Sequence, residues 1–195
     1  MKRDIILAGV GGQGIISIAA IIGTAALEQG LYLKQSEVHG MSQRGGDVQS
    51  NLRISDKEIA SDLIPYGKAD LIISVEPLEA LRYLPYISPD GWVISSTRPF
   101  INIPDYPEME KVMDEFRKLP HYIALDADEI AKELGTLKAA NIVVLGAASP
   151  FLEMDYKRLE EAIRYIFRNK GEDMIKSNLQ ALKCGKDFTE QQMNK

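Results

Sequence analysis

The chain has 195 residues, 45% of them hydrophobic, which suits one globular domain with a sizeable core and excludes a disordered segment. Its formal net charge of -5, with no run of five like charges, leaves no electrostatic footprint for nucleic acid or for an anionic membrane. There is no secretory leader pattern and no uncharged apolar stretch of about 18 residues, so a cytoplasmic protein acting with small molecules or protein partners is expected.

The first elements read as a strand over Asp4 to Ala8, a glycine loop, a helix from Gly14 to about Gln29 and a strand from Leu31 to about Val38. This is a βαβ pattern. The helix is apolar on almost every face, which predicts that it lies between the sheet and a further layer, and Gly30 supplies its stop. After a glycine-rich loop, "VQSNLRISDKEIAS" alternates on both sides of Ser55-Asp56-Lys57 and predicts an antiparallel hairpin inserted in a parallel pattern. A buried strand over Asp70 to Val75 follows, and Pro77 suits the first position of a helix over Leu78 to Leu84. Two short strands, Gly91 to Ser95 and His121 to Leu125, flank a proline-rich stretch and a polar helix over Glu108 to Arg117.

From Asp126 the pattern turns helical. The segment "DADEIAKELG" carries an Asp cap and ends on glycine, and a more apolar helix spans Leu137 to Ala148. A helix beginning at the Asp155 cap carries Met154 and Leu159 as a hydrophobic staple, and a last helix spans Glu172 to Lys183. The expected fold is α/β and Rossmann-like: a mostly parallel sheet with an inserted antiparallel hairpin and C-terminal helices, in a single domain over residues 1–195.

Cys184 is the only cysteine, so this chain cannot by itself hold an iron–sulfur cluster or a structural zinc. His39 and His121 are far apart and neither has a ligand at helical or hairpin spacing, so no metal site is expected.

Two loops carry the functional signal. In "GVGGQG", Gly9, Gly11 and Gly14 fit the G-x-G-x-x-G spacing between a strand and a helix, and Glu37 falls where a Rossmann domain keeps an acid for the ribose. A dinucleotide, another anion at the helix N-terminus and a purely structural turn all remain open on these residues. None of the eight tyrosines has a lysine four residues on, and the chain is short for a second substrate domain, which weighs against the dinucleotide. The second stretch, "SEVHGMSQRGGDV", mixes Glu37, His39, Gln43 and Arg44 with Gly40, Gly45 and Gly46, which places it at the carboxyl edge of the sheet beside the first loop. Arg44 there is either a bidentate partner for phosphate or carboxylate or a solvated arginine. Glu76 and Asn141 are either ligand-edge groups or helix caps.

The pair "GVGGQGI" and "EVHGMSQRGG", continued by "ADLIISVEPLEALRYLPYISPDG" and "NIVVLGAAS", resembles the gamma-type domain of the 2-oxoacid:ferredoxin oxidoreductases over most of the chain. Among these, a free-standing chain of this length is similar to the small subunit of the enzymes that act on arylpyruvates such as indolepyruvate. The resemblance implies oxidative decarboxylation of an arylpyruvate with coenzyme A and ferredoxin, giving an arylacetyl-coenzyme A, carbon dioxide and reduced ferredoxin. It implies thiamine diphosphate, magnesium and iron–sulfur clusters on a large catalytic partner, coenzyme A as co-substrate, and no tightly bound cofactor and no catalytic residue on this chain. Gly9, Gly11, Gly12, Gln13 and Gly14 match the family's first loop, an anion, coenzyme A or interface loop. Glu37, His39, Gly40, Met41, Ser42, Gln43, Arg44, Gly45 and Gly46 match its second and are expected, with Glu76 and Asn141, to face the partner or the substrate channel. A stand-alone NAD(P)-binding protein and a homodimeric binding module are the alternatives.

Overall fold

The computed structural model describes residues 1–40 and 45–194. Met41, Ser42, Gln43 and Arg44 lie outside the described residues, and with them the expectations attached to those four positions.

Six strands form one sheet: β1 (Lys2–Val10), β2 (Tyr32–His39), β3 (Asp47–Ser55), β4 (Ala69–Ser74), β5 (Ile87–Ser96) and β6 (Tyr122–Leu125), in the order β2-β3-β1-β4-β5-β6. The pairs β1–β4, β4–β5 and β5–β6 are parallel, whereas β3 runs antiparallel to both β1 and β2. The expected mostly parallel sheet with an antiparallel hairpin is thus observed, but the hairpin is β2–β3. Residues 58–61, the expected second arm after Ser55-Asp56-Lys57, form no strand; Arg53 holds the segment in another way, its guanidinium donating to the carbonyls of Ser61 and Leu63 and to the buried carboxylate of Asp4.

The helices are α1 (Ile15–Glu28), α2 (Pro77–Arg82), α3 (Met109–Arg117), α4 (Ala127–Glu133), α5 (Ala140–Ala148), α6 (Tyr156–Phe167) and α7 (Glu172–Met193). One sheet face carries Ile5, Leu7, Leu52, Ile54, Leu71 and Ile73 against α1, α5 and the C-terminal helices. The other carries Ile6, Ala8, Ile72 and Val93 against Ala80 of α2, Tyr83 just after it, and Val112 and Phe116 of α3. Alternation along each strand feeds both faces, so the architecture has three layers. Helix α1 lies between the sheet and α6, as its all-round apolar sequence predicts. No described helix is long and apolar enough to cross a membrane.

Local signals explain most boundaries. Glu76, Asp126 and Asp155 cap α2, α4 and α6 by accepting from the N–H groups of Glu79, Glu129 and Lys157. Two predicted spans differ. Leu137–Ala139 is a 3-10 turn before α5, and α7 continues past Lys183 to Met193. Gly185 does not end α7; it lets α7 cross α5 closely, since a methyl group there would lie 2.7 Å from the Ala147 nitrogen and run into the Val143 carbonyl.

Candidate functional site

The carboxyl ends of β1, β4, β5 and β6 converge on one edge of the sheet, where open α/β sheets place their ligands. The glycine loop leaves β1 there. Gly12 and Gly14 adopt φ of +102° and +84°, backbone that only glycine accepts without strain, and this turns the chain from strand into α1. Within the loop, the Val10 N–H donates to Gln13 Oε1 at 2.8 Å and the Gln13 N–H to the Val10 carbonyl at 3.1 Å. Gln13 therefore closes the turn with its side chain and its backbone.

Three neighbours fix the loop from outside. The Gly11 N–H donates to the Gly46 carbonyl at 2.8 Å, so the two glycine stretches are joined. Asn102, in the proline-rich stretch after β5, donates through Nδ2 to the Gly45 carbonyl at 2.6 Å. Asn141 at the start of α5 donates through Nδ2 to the Gly14 carbonyl at 3.1 Å, while its Oδ1 accepts from the Ile142 N–H at 3.0 Å. Asn141 is therefore not the cap of α5, which is Ala139; it occupies an N–H of the first turn of its own helix and ties that helix to the loop.

Of the loop N–H groups, those of Gly11 and Gln13 are consumed internally. Those of Gly12, Gly14 and Ile15 have no acceptor among the described residues and sit at the positive end of the α1 dipole. They border an open cavity of about 320 Å³ lined by Val10, Ile15, Ile16, Ser17, His39 and Val48. A second cavity, of about 170 Å³, opens on the far side of the loop between Gly12, Gln13, Lys138 and Asn141.

Glu37 and His39 share a face of β2 and bind each other, His39 Nε2 against Glu37 Oε1, while Gln35 Nε2 donates to Ser50 Oγ at 3.1 Å and to Glu37 Oε2 at 3.4 Å. This row bears on the dinucleotide alternative. Strand β3 stands between β2 and β1, so Glu37 is two strand spacings, roughly 9–10 Å, from the strand that carries the glycine loop. A ribose acid belongs on the neighbouring strand, and that place is taken by β3. The two outer strands of the predicted βαβ unit are parallel but not adjacent.

Glu76 is 1% exposed and accepts three hydrogen bonds: from the Glu79 N–H at 2.8 Å, from the Phe100 N–H at 3.3 Å and from the Tyr106 hydroxyl. It is therefore a helix cap and also a latch for the stretch after β5. The Tyr106 latch has no periodic signature; the proline-flanked aromatic in "PDYPE" is its only trace in the sequence. Burial and the Glu76 carboxylate hold the Tyr106 phenol well above its ordinary pKa, in its donating form. Burial also raises the Glu79 carboxyl, against the opposing pull of Arg82, which binds it at 2.8 Å. A third cavity, of about 210 Å³, lies between this latch, Gly45, Gly46 and Arg82.

The edge offers N–H donors, apolar walls and rigidly held loops. Among the described residues, no group of three or more His, Cys, Asp or Glu side chains is placed to hold a metal ion. Fold and edge together define a class: a three-layer α/β domain with a glycine loop of the nucleotide-binding kind, in which an antiparallel strand, β3, stands where a dinucleotide-binding domain has its parallel second strand.

The chain belongs to the pyruvate ferredoxin/flavodoxin oxidoreductase family, whose model matches residues 4–188. It is 40% identical over 194 residues to the Indolepyruvate oxidoreductase subunit IorB of Archaeoglobus fulgidus, covering 95% of this chain and 94% of that one. It is 34% identical over 205 residues to the protein of the same name from Pyrococcus horikoshii, covering 99% and 98%. Among solved structures, it resembles 2-oxoglutarate:ferredoxin oxidoreductase from Magnetococcus marinus, solved with 2-oxoglutarate, coenzyme A and succinyl-CoA bound, at a TM-score of 0.77 and 23% identity. That match covers 97% of this chain and 31% of the longer one, so there the fold is one part of a larger polypeptide.

Proposed function

We propose that this chain is the small subunit of an indolepyruvate:ferredoxin oxidoreductase, a single domain over residues 1–195 working in the cytoplasm. The observation that carries the reading is 40% identity across nearly the full length of a relative of that name. The complex would decarboxylate an arylpyruvate, join the acyl group to coenzyme A as a thioester and pass the released electron pair, one electron at a time, to ferredoxin.

The donor set of this chain does not fit the redox and thiamine groups. A cluster needs several thiolates and the sequence holds one cysteine, Cys184; a magnesium-bound diphosphate needs clustered oxygen ligands, and the edge offers backbone N–H groups in their place. Thiamine diphosphate, magnesium and the clusters are therefore assigned to the large partner, where they supply carbanion and electron-transfer chemistry.

The share of this subunit is binding and enclosure. The N–H groups of Gly12, Gly14 and Ile15 at the α1 N-terminus, without an acceptor among the described residues, suit a phosphate or carboxylate, with coenzyme A the candidate that the reaction itself supplies. Gly9, Gly11 and Gln13 shape that loop. Glu37, His39, Gly40, Gly45 and Gly46, with Met41, Ser42, Gln43 and Arg44 between them, form the adjoining channel or interface wall, and Glu76 and Asn141 position the loops behind it.

Reconstitution tests the reading. The purified chain should be colourless and inactive, and indolepyruvate oxidation should appear on adding the large subunit. Iron–sulfur absorbance or oxoacid oxidation by the chain alone would refute it. Micromolar NAD or NADP binding to the isolated chain, lost in Gly11→Val, would restore the dinucleotide alternative.

A further inference from the structure

We infer that an apolar rim around the glycine loop, formed by Ile16, Val38, Phe100, Ile101, Ile103 and Leu137, is the docking surface for the large catalytic subunit. The inference rests on the subunit reading above and adds to it the face and the residues that make the contact.

Twelve large hydrophobic side chains are exposed among the described residues, and these six gather at one end of the sheet. Each is tied to the loop. Ile16 lies in the first turn of α1 and lines the 320 Å³ cavity, Leu137 lines the 170 Å³ cavity and Ile103 the 210 Å³ cavity. Val38 precedes His39 at the end of β2. Phe100 and Ile101 ride on the stretch that Glu76 and Gly45 pin through the Phe100 N–H and Asn102.

Ile101 is 71% exposed and Leu137 60%, yet Ile101 lies between the Phe100 N–H bound to Glu76 and the Asn102 amide bound to Gly45, and Leu137 lies in a 3-10 turn closed by the Ala139 N–H on the Thr136 carbonyl, so their exposure is built into the scaffold. Apolar surface displayed on a fixed frame, with charged groups at its margin, is how a protein interface differs from ordinary surface.

The occupant follows from the surroundings. Each of the three cavities has one of these side chains in its wall, so a polypeptide laid over the rim would cover them as a shared site between two chains. In the longer Magnetococcus chain the same fold is continuous with further polypeptide, and on the subunit reading the large subunit is the counterpart of that mass. A second copy of this chain suits the rim poorly. Two-fold pairing through this edge would bring two α1 N-termini, both partially positive, toward each other.

The test compares the full-length double variant Ile101→Asp/Leu137→Asp with Leu63→Asp, an exposed apolar residue at the opposite edge. Each is titrated against the large subunit, with thermal melting and light scattering on the isolated chains. The rim variant should bind at least tenfold more weakly with an unchanged melting temperature, and Leu63→Asp should bind as the parent does. Parental affinity in the rim variant overturns the inference and leaves the subunit reading standing. So does an isolated parent dimer that the rim variant converts to monomer while affinity for the large subunit is retained, since a second copy then occupies the rim. A parent chain that does not bind the large subunit at all overturns the subunit reading itself.

Discussion

Replacing Gly14 by alanine strikes the glycine loop at its tightest point, and its cost can be worked from two separate terms. The backbone there has φ +84°, where a Cβ carries a penalty of roughly 1–2 kcal/mol. The new methyl would also lie 3.1 Å from Asn141 Cγ and closer still to Nδ2, in a site where Asn141 is buried and held at both ends of its amide, an overpacking cost of about 1–3 kcal/mol. Gly14→Ala should therefore destabilise by roughly 2–5 kcal/mol. Asn141→Ala alone should cost only about 0.5–1.5 kcal/mol, because the Gly14 carbonyl keeps the Ser17 and Ile18 N–H groups as donors. The double variant removes the obstacle, so the backbone term and the Asn141 term remain and its total should fall short of the sum by roughly the 1–3 kcal/mol of the clash. Urea unfolding of the four proteins, followed by circular dichroism, measures this cycle. Additivity within about 0.5 kcal/mol would show that Asn141 does not press on Gly14, and the loop geometry argued above would fail.

Other perturbations bear on the frame that holds the site. Gly185→Ala should cost at least about 3 kcal/mol, since the methyl group meets backbone of α5 that cannot step aside; a loss below about 1 kcal/mol in urea unfolding would refute the close crossing. Tyr156→Phe should leave stability unchanged or raise it by about 1 kcal/mol, because the buried hydroxyl has no partner among the described residues, and a clear fall in melting temperature would show otherwise. Burial pushes the Tyr83 phenol up to about 12, which favours the neutral form in the folded state; the stabilisation is complete below pH 10 and is lost as pH rises from 10 through 12. Tyr83→Phe should accordingly flatten that part of the stability profile, and identical alkaline slopes in the two proteins would count against it.

How far the sequence reaches depends on which force decides each element. Asp126, Asp155 and Pro77 announce helix starts because caps and proline act within one turn. The strand β4 and the helix α1 were legible from apolar content alone. Strand order was not: β3 reads as a strand in sequence, but its insertion between β1 and β2 is decided by long-range pairing of Leu52 and Ile54 with β1 and β2. The last helix reads as ending at Lys183, and only the proximity of α5 gives Gly185 its packing role inside a longer α7. At the site, the contact of the two glycine loops was anticipated, whereas the Glu76–Tyr106 latch and the apolar rim were not. Both depend on an irregular stretch whose path is set by single hydrogen bonds, and no periodicity records them.

The burial of α1 between sheet and α6 also sets a problem of timing during synthesis. Strands β1, β2 and β3 and the inner face of α1 all come from the first 55 residues, so Ile5, Leu7, Leu52 and Ile54 can assemble early as a local unit. The outer face of α1 must wait for α6, whose first residue, Tyr156, follows the last residue of α1, Glu28, by 128 positions (156 − 28). At roughly 5–20 residues per second that is an interval of about 6–25 s, in which a helix rich in isoleucine and alanine stands uncovered on the ribosome. The same apolar sequence that makes α1 easy to recognise as an interior helix thus makes the nascent chain a client for whatever shields hydrophobic helices until their second layer arrives.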